Sequence, residues 1–120
     1  MRNFKDLKVW EKAHQMTLAI YQASAKFPSE ESFGLTSQIR RAAVSIPANI
    51  SEGCGRDGEA DFTRFLQIAM GSANELEYHL LLAHDLSYLG EPEYQCLAEH
   101  TIEIKKMLTG LIHRKYSSTT

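Results

Sequence analysis

A chain of 120 residues, 43% hydrophobic and 23% charged, can bury one modest globular core, and its formal charge of −2 excludes a protein that is electropositive overall while leaving room for a local basic patch. The longest apolar runs are too short to span a bilayer, and MRNFKDLKVW at the start lacks the hydrophobic centre of an export signal, so the expected setting is cytoplasmic, without membrane contact. Cys54 and Cys96 are too few and too far apart for a disulfide framework or a zinc motif; Cys54, between two glycines, is expected to be accessible.

The first helix is expected over about 7–26. Leu7, Trp10, His14, Thr17, Tyr21 and Ser24 follow spacings of three and four, the width of a core-facing stripe, and Phe27-Pro28 ends the run because a residue before proline avoids the helical region. After a polar loop from Ser29 to Gly34, a second helix is expected over about 35–52. Leu35, Ile39, Ala42, Ala43, Ile46 and Ile50 form its apolar face, and Pro47 should kink or locally break it. Gly53, Gly55 and Gly58 mark a corner. A third helix is expected over about 59–89, opening on acidic residues that suit a helix N-terminus, with Gly71-Ser72-Ala73 as a small patch where another helix would approach closely. Its apolar residues cover more than one face, which a small bundle cannot hide, so self-association is expected. Gly90-Glu91-Pro92 reads as a stop and restart, and a fourth helix follows over about 92–115. Four helices joined by short loops predict an all-α, antiparallel up-down-up-down four-helix bundle forming a single domain over residues 1–120.

A polar line runs beside the apolar face of the second helix. Ser37, Arg41, Ser45 and Asn49 recur every four residues, and Glu52 lies about one turn on. With Arg64 and Glu75 on the third helix, the residues Arg41, Ser45, Asn49 and Glu52 are expected to form a network that fixes helix register or a subunit interface. From Glu75 to Glu103 there are seven acidic residues and no Lys or Arg, so basic residues gather elsewhere: Lys5, Lys8, Lys12, Arg40, Lys105, Lys106, Arg114 and Lys115. Repeated in an oligomer, these are the candidate contacts to RNA or DNA. A di-iron bundle needs two Glu-x-x-His motifs, and only Glu11 to His14 supplies one; no metal, cofactor or catalytic residue is expected, and no nucleophile–base–orienter set is visible.

FKDLKVWEKAH, FPSEESFGLTSQIRRAAVSIPANISEG and DFTRFLQIAMGSANELE together resemble the four-helix bundle family of proteins encoded in intervening sequences of 23S ribosomal RNA, from Phe4 to about Ile112. That family is similar in fold to the accessory protein of diversity-generating retroelements, a barrel-like homopentamer that binds nucleic acid and its reverse transcriptase. The resemblance implies a homo-oligomer, expected to be a pentamer, and no enzyme. Its signature positions match Gln38, Arg40, Arg41, Ser45, Asn49 and Glu52, then Phe62, Arg64, Phe65, Gly71, Ser72 and Glu75. The expected function is an assembly or adaptor module with RNA or DNA as a candidate partner. The alternative is a scaffold that binds an unknown protein partner and has no nucleic-acid affinity.

Overall fold

Apolar residues at alternating spacings of three and four draw four helices onto one shared core. The computed structural model describes residues 2–119, with side chains described as far as Arg114. The helices are α1 (Lys8–Ser24), α2 (Leu35–Cys54), α3 (Glu59–Asp85) and α4 (Glu91–Thr119), preceded by a 3₁₀ turn at Phe4–Asp6 and interrupted by another at Ser29–Glu31. Among the described residues there is no strand. Contacts join α1 to α2, α2 to α3, α3 to α4 and α4 back to α1, so the chain runs up, down, up and down around a square. Leu35, Ile39, Ala42, Ile46 and Ile50 of α2 meet Phe62, Leu66, Ala69, Ala73, Leu76 and Leu80 of α3 in the middle of this core.

In α1 the buried stripe is Val9, Ala13, Met16, Thr17, Ile20, Ala23 and Ser24, not the one through Leu7, Trp10, His14 and Tyr21. Both stripes have helical spacing and share Thr17 and Ser24. The observed one buries compact apolar groups and leaves His14 and Tyr21 exposed, His14 stacked at 5.2 Å on a Trp10 partly buried against the core and Tyr21 beneath the Arg40 guanidinium at 4.6 Å.

α2 runs through Pro47 without a break. Pro47 has no N–H, so the Ala43 carbonyl, four residues back, loses its helical donor. The Thr17 hydroxyl of α1 reaches it at 3.1 Å, while also lying 2.9 Å from its own Ala13 carbonyl. A polar residue on the buried face of α1 thus serves the carbonyl freed in α2.

α3 ends at Asp85, short of the expected 89. Ser87 takes a left-handed backbone (φ 66°), its N–H donates to the His84 carbonyl at 2.9 Å, and the Tyr88 N–H donates to the Ala83 carbonyl at 2.8 Å. These two bonds form a Schellman cap with serine where glycine is usual. The cap returns Leu89 to the core.

The close approach between α2 and α3 is at Gly53, not Gly71. A methyl group at Gly53 would sit 2.9 Å from Phe65 Cβ, whereas one at Gly71 would meet nothing within 4 Å. Cys54 is buried, 1% exposed, because α2 extends to it and the Arg2 N–H donates to its carbonyl at 3.2 Å. Arg2 also pairs with Glu59 at 2.6 Å and lies over the Phe62 ring at 3.8 Å, tying the α2–α3 corner.

Thr17→Val should cost about 1–3 kcal/mol in urea unfolding, the usual penalty for leaving a buried polar group unsatisfied. In a Pro47→Ala background, where residue 47 regains its N–H, the same substitution should cost measurably less. Equal costs in both backgrounds would sever the link between Thr17 and Pro47.

Candidate functional site

The antiparallel register of α2 and α3 brings part of the polar line onto partners. Arg41 Nη2 donates to Glu75 Oε2 at 2.6 Å and to Gln38 Oε1 at 3.0 Å. One turn on, Ser45 and Ser72 share a hydroxyl–hydroxyl bond of 2.7 Å, and Asn49 Nδ2 donates to the Ser45 carbonyl and hydroxyl at 2.8 and 2.9 Å. Glu52 and Arg64 stand apart from this seam. Glu52 pairs with Arg56 at 3.4 Å, and Arg64 with Asp61 at 3.4 Å, each within one turn or its adjoining loop. The Arg56 and Arg64 guanidinium groups also lie on the Phe65 ring, at 5.0 and 4.5 Å. Local partners and an aromatic face hold these two residues out of the expected network.

Beneath the seam, His79 is buried, with Nε2 at 3.6 Å from Glu75 Oε2 and Nδ1 without a partner among the described residues. Burial holds its pKa below the ordinary histidine value; Glu75 opposes that shift and Arg41 adds to it. The spacing of Glu75 and His79 places them on one face, but only the packing shows that the imidazole points inward.

At the end of the bundle that joins α1 to α2, Glu31 accepts from the Leu35 N–H at 3.0 Å and from the Tyr88 hydroxyl at 2.9 Å. The Leu35 bond, then the Tyr88 bond, hold its carboxyl below the usual carboxylate range. The negative charge sits where the N-terminus of α2 favours it. Gly34 leaves the carboxylate its place, since a Cβ there would lie 2.7 Å from Glu31 Oε1. Between these anchored residues Phe33 is 99% exposed. It borders a hollow of about 640 Å³ whose walls include Tyr21, Arg40, Arg41, Val44 and Ser45. A lone aromatic in a polar loop, outside any helical period, was the available sequence signal for Phe33.

The basic candidates divide into two kinds. Lys12 pairs with Glu103 at 3.0 Å and Lys105 with Glu77 at 2.6 Å. Arg40 donates to Ser24 Oγ at 2.8 Å and to the Tyr21 carbonyl at 3.2 Å, closing the last turn of α1. Lys8, Lys106 and Arg114 instead line one groove of about 240 Å³, over Leu7, Met107 and Leu111. Lys5 is exposed near Phe4, 5.9 Å from its ring. The Lys115 side chain lies outside the described residues.

Among the described residues no three His, Cys, Asp or Glu side chains converge as a metal site requires, and no helix is long and apolar enough to cross a membrane. The fold and its polar seam define a small all-helical bundle whose special geometry lies between helices. The chain belongs to the 23S rRNA-intervening sequence protein family, whose model matches residues 5–110. It is also similar to a protein of unknown function from the S23 ribosomal protein family of Bacteroides thetaiotaomicron, at 32% identity and a TM-score of 0.82, over 88% of this chain and 95% of that one. No curated protein matches the sequence.

His79 gives stability a pH dependence of defined sign. Its folded pKa is depressed, so the unfolded chain takes up the proton first as pH falls below about 6.5, the ordinary histidine value. The part of stability that depends on neutral His79 is fully present above that pH and declines progressively down to the folded pKa. Melting temperature should fall between pH 7 and pH 5, and His79→Leu should flatten this decline. An unchanged pH profile in the variant would remove His79 as its source.

Proposed function

We propose that this chain is a non-enzymatic assembly module that works as a homo-oligomer. The observation that carries the reading is its unburied apolar surface. Leu18, Tyr21, Phe33 and Val44 on α1, α2 and their loop, and Ile68, Tyr78, Leu81, Leu86 and Ile102 toward α3 and α4, are each at least 40% exposed. Scattered single residues of this kind are ordinary, but Tyr21, Phe33 and Val44 border one hollow and Tyr78 and Leu81 another, and such surfaces fit cover by other subunits. The expected pentamer, the kinship with the retroelement accessory protein, the single-domain organisation and the cytoplasmic setting belong to this same proposal. Light scattering at micromolar protein should give a mass several times the 13.6 kDa of the monomer. A strictly monomeric species would end the reading.

RNA or DNA binding is a second reading, favoured by the groove where Lys8, Lys106 and Arg114 gather with no carboxylate paired to them among the described residues. Repeated around an oligomer, that groove would present a ring of cations, and affinity resting on phosphate neutralisation falls steeply with salt. Filter binding to RNA and DNA at two salt concentrations should show micromolar, salt-sensitive retention, weakened in Lys106→Glu/Arg114→Glu. Absence of salt-sensitive binding leaves the protein-binding scaffold.

A further inference from the structure

We infer that the groove between the start of α1 and the C-terminal part of α4 is a docking site for an acidic amphipathic helix of another protein. The site lies on a single chain, so it goes beyond the assembly reading and stands without an oligomer.

The groove has a floor, a notch and a charged rim. Leu7, Met107 and Leu111, each partly buried against the core, give an apolar floor to a hollow of about 240 Å³. Lys106, Gly110 and Arg114 follow one another at intervals of four, so they lie along one line of α4, the two cations about 12 Å apart along the helix axis. Between them the glycine presents no side chain. A Cβ there would meet nothing within 4 Å, so no neighbour within the chain requires a glycine, although it is the poorest helix former after proline. What the bare backbone permits is close approach from outside. Lys8, the first residue of α1, borders the same groove from the opposite wall.

The cations of the rim have no partners of their own. Among the described residues Lys8, Lys106 and Arg114 form no ion pair or hydrogen bond, whereas Lys12 of α1 and Lys105 of α4 hold Glu103 and Glu77 at 3.0 and 2.6 Å. Charge complementarity therefore calls for carboxylates or phosphates from another molecule. The floor decides between them. A phosphate chain gains nothing from a thioether and leucine side chains, and no aromatic ring lines the groove for a base to stack on. A helix with apolar side chains on one face and Asp or Glu beside them uses floor, notch and rim together.

A second copy of this chain is a poor source of those carboxylates. In the acidic stretch from Glu75 to Glu103, the side chains of Glu75, Glu77, Glu93 and Glu103 already pair with Arg41, Lys105, Lys26 and Lys12 of the same chain. The occupant brings its own acidic residues.

The test is fluorescence anisotropy of the full chain with a labelled, acetylated peptide of about 18 residues, long enough to hold a helix in water. Its leucines are spaced three and four apart, glutamates flank them, and alanines fill the rest. At physiological ionic strength it should bind with a dissociation constant on the order of micromolar. A peptide of the same composition with its leucines scattered, and one with glutamine for glutamate, should each bind roughly tenfold more weakly or worse. Lys106→Glu/Arg114→Glu should weaken the first peptide by a similar factor. So should Gly110→Leu, which leaves the charge unchanged and should melt no lower than the wild type; Gly110→Gln takes its place if it does. Absence of peptide binding, equal binding of the ordered and scattered peptides, or undiminished binding by the notch variant overturns the inference. An oligodeoxythymidylate of similar charge that binds more tightly than the peptide, and is lost in Lys106→Glu/Arg114→Glu, also overturns it and gives the groove to nucleic acid. A protein that is monomeric by light scattering yet binds the peptides in the expected order keeps the docking site while ending the assembly reading.

Discussion

The Thr17 hydroxyl crosses from α1 to a carbonyl that Pro47 leaves without a helical donor, and the geometry of the bundle depends on α2 staying in one piece at that point. Were α2 to turn at Pro47, residues on its two sides would no longer share a face. Arg41 and Ser45 lie before the proline and Asn49 and Gly53 after it. All four act along the same side of α2: the first two bond to α3, Asn49 braces Ser45, and Gly53 admits Phe65. A polar bond on one side of α2 thus supports the alignment of contacts on another.

The seam between α2 and α3 adds register more than strength. Its ion pair is between an Arg41 side chain 59% exposed and a Glu75 side chain 36% exposed, and pairs so open to water are typically worth about 0–1 kcal/mol. The Ser45–Ser72 bond is short, but its hydroxyls would otherwise bond to water, so its net gain is modest as well. Sliding α3 along α2 by one turn would separate both pairs together and move Phe65 away from the space that Gly53 leaves. Steric fit and polar matching therefore select the same alignment.

Helix number and order were legible in the sequence because spacings of three and four survive in every segment. Other features depended on choices that spacing cannot make. α1 carries two stripes of equal period, and only contact with α2 selects the one containing Val9, Met16 and Ile20. Gly90 carried the obvious stop signal for α3, yet Ser87 holds the left-handed turn, paying a backbone cost that two cap hydrogen bonds and the burial of Leu89 offset. Gly71 and Gly53 look alike as letters; which one faces a helix depends on rotation about the helix axis. Spacing puts Glu52 on the polar line of α2, and the pairing of α2 with α3 offers Arg64 as its partner, but oppositely charged neighbours within a turn or its adjoining loop hold each of them.

The two thiols occupy opposite environments. Cys54 is buried at the end of α2, with its carbonyl bonded to Arg2 and its thiol pKa raised by burial, while Cys96 is exposed on α4. An alkylating reagent therefore meets Cys96 on the intact molecule and reaches Cys54 only when the corner tied by Arg2, Glu59 and Phe62 comes apart. The native chain carries its own pair of reporters, one reading the folded surface and the other the opening of that corner, with no residue added.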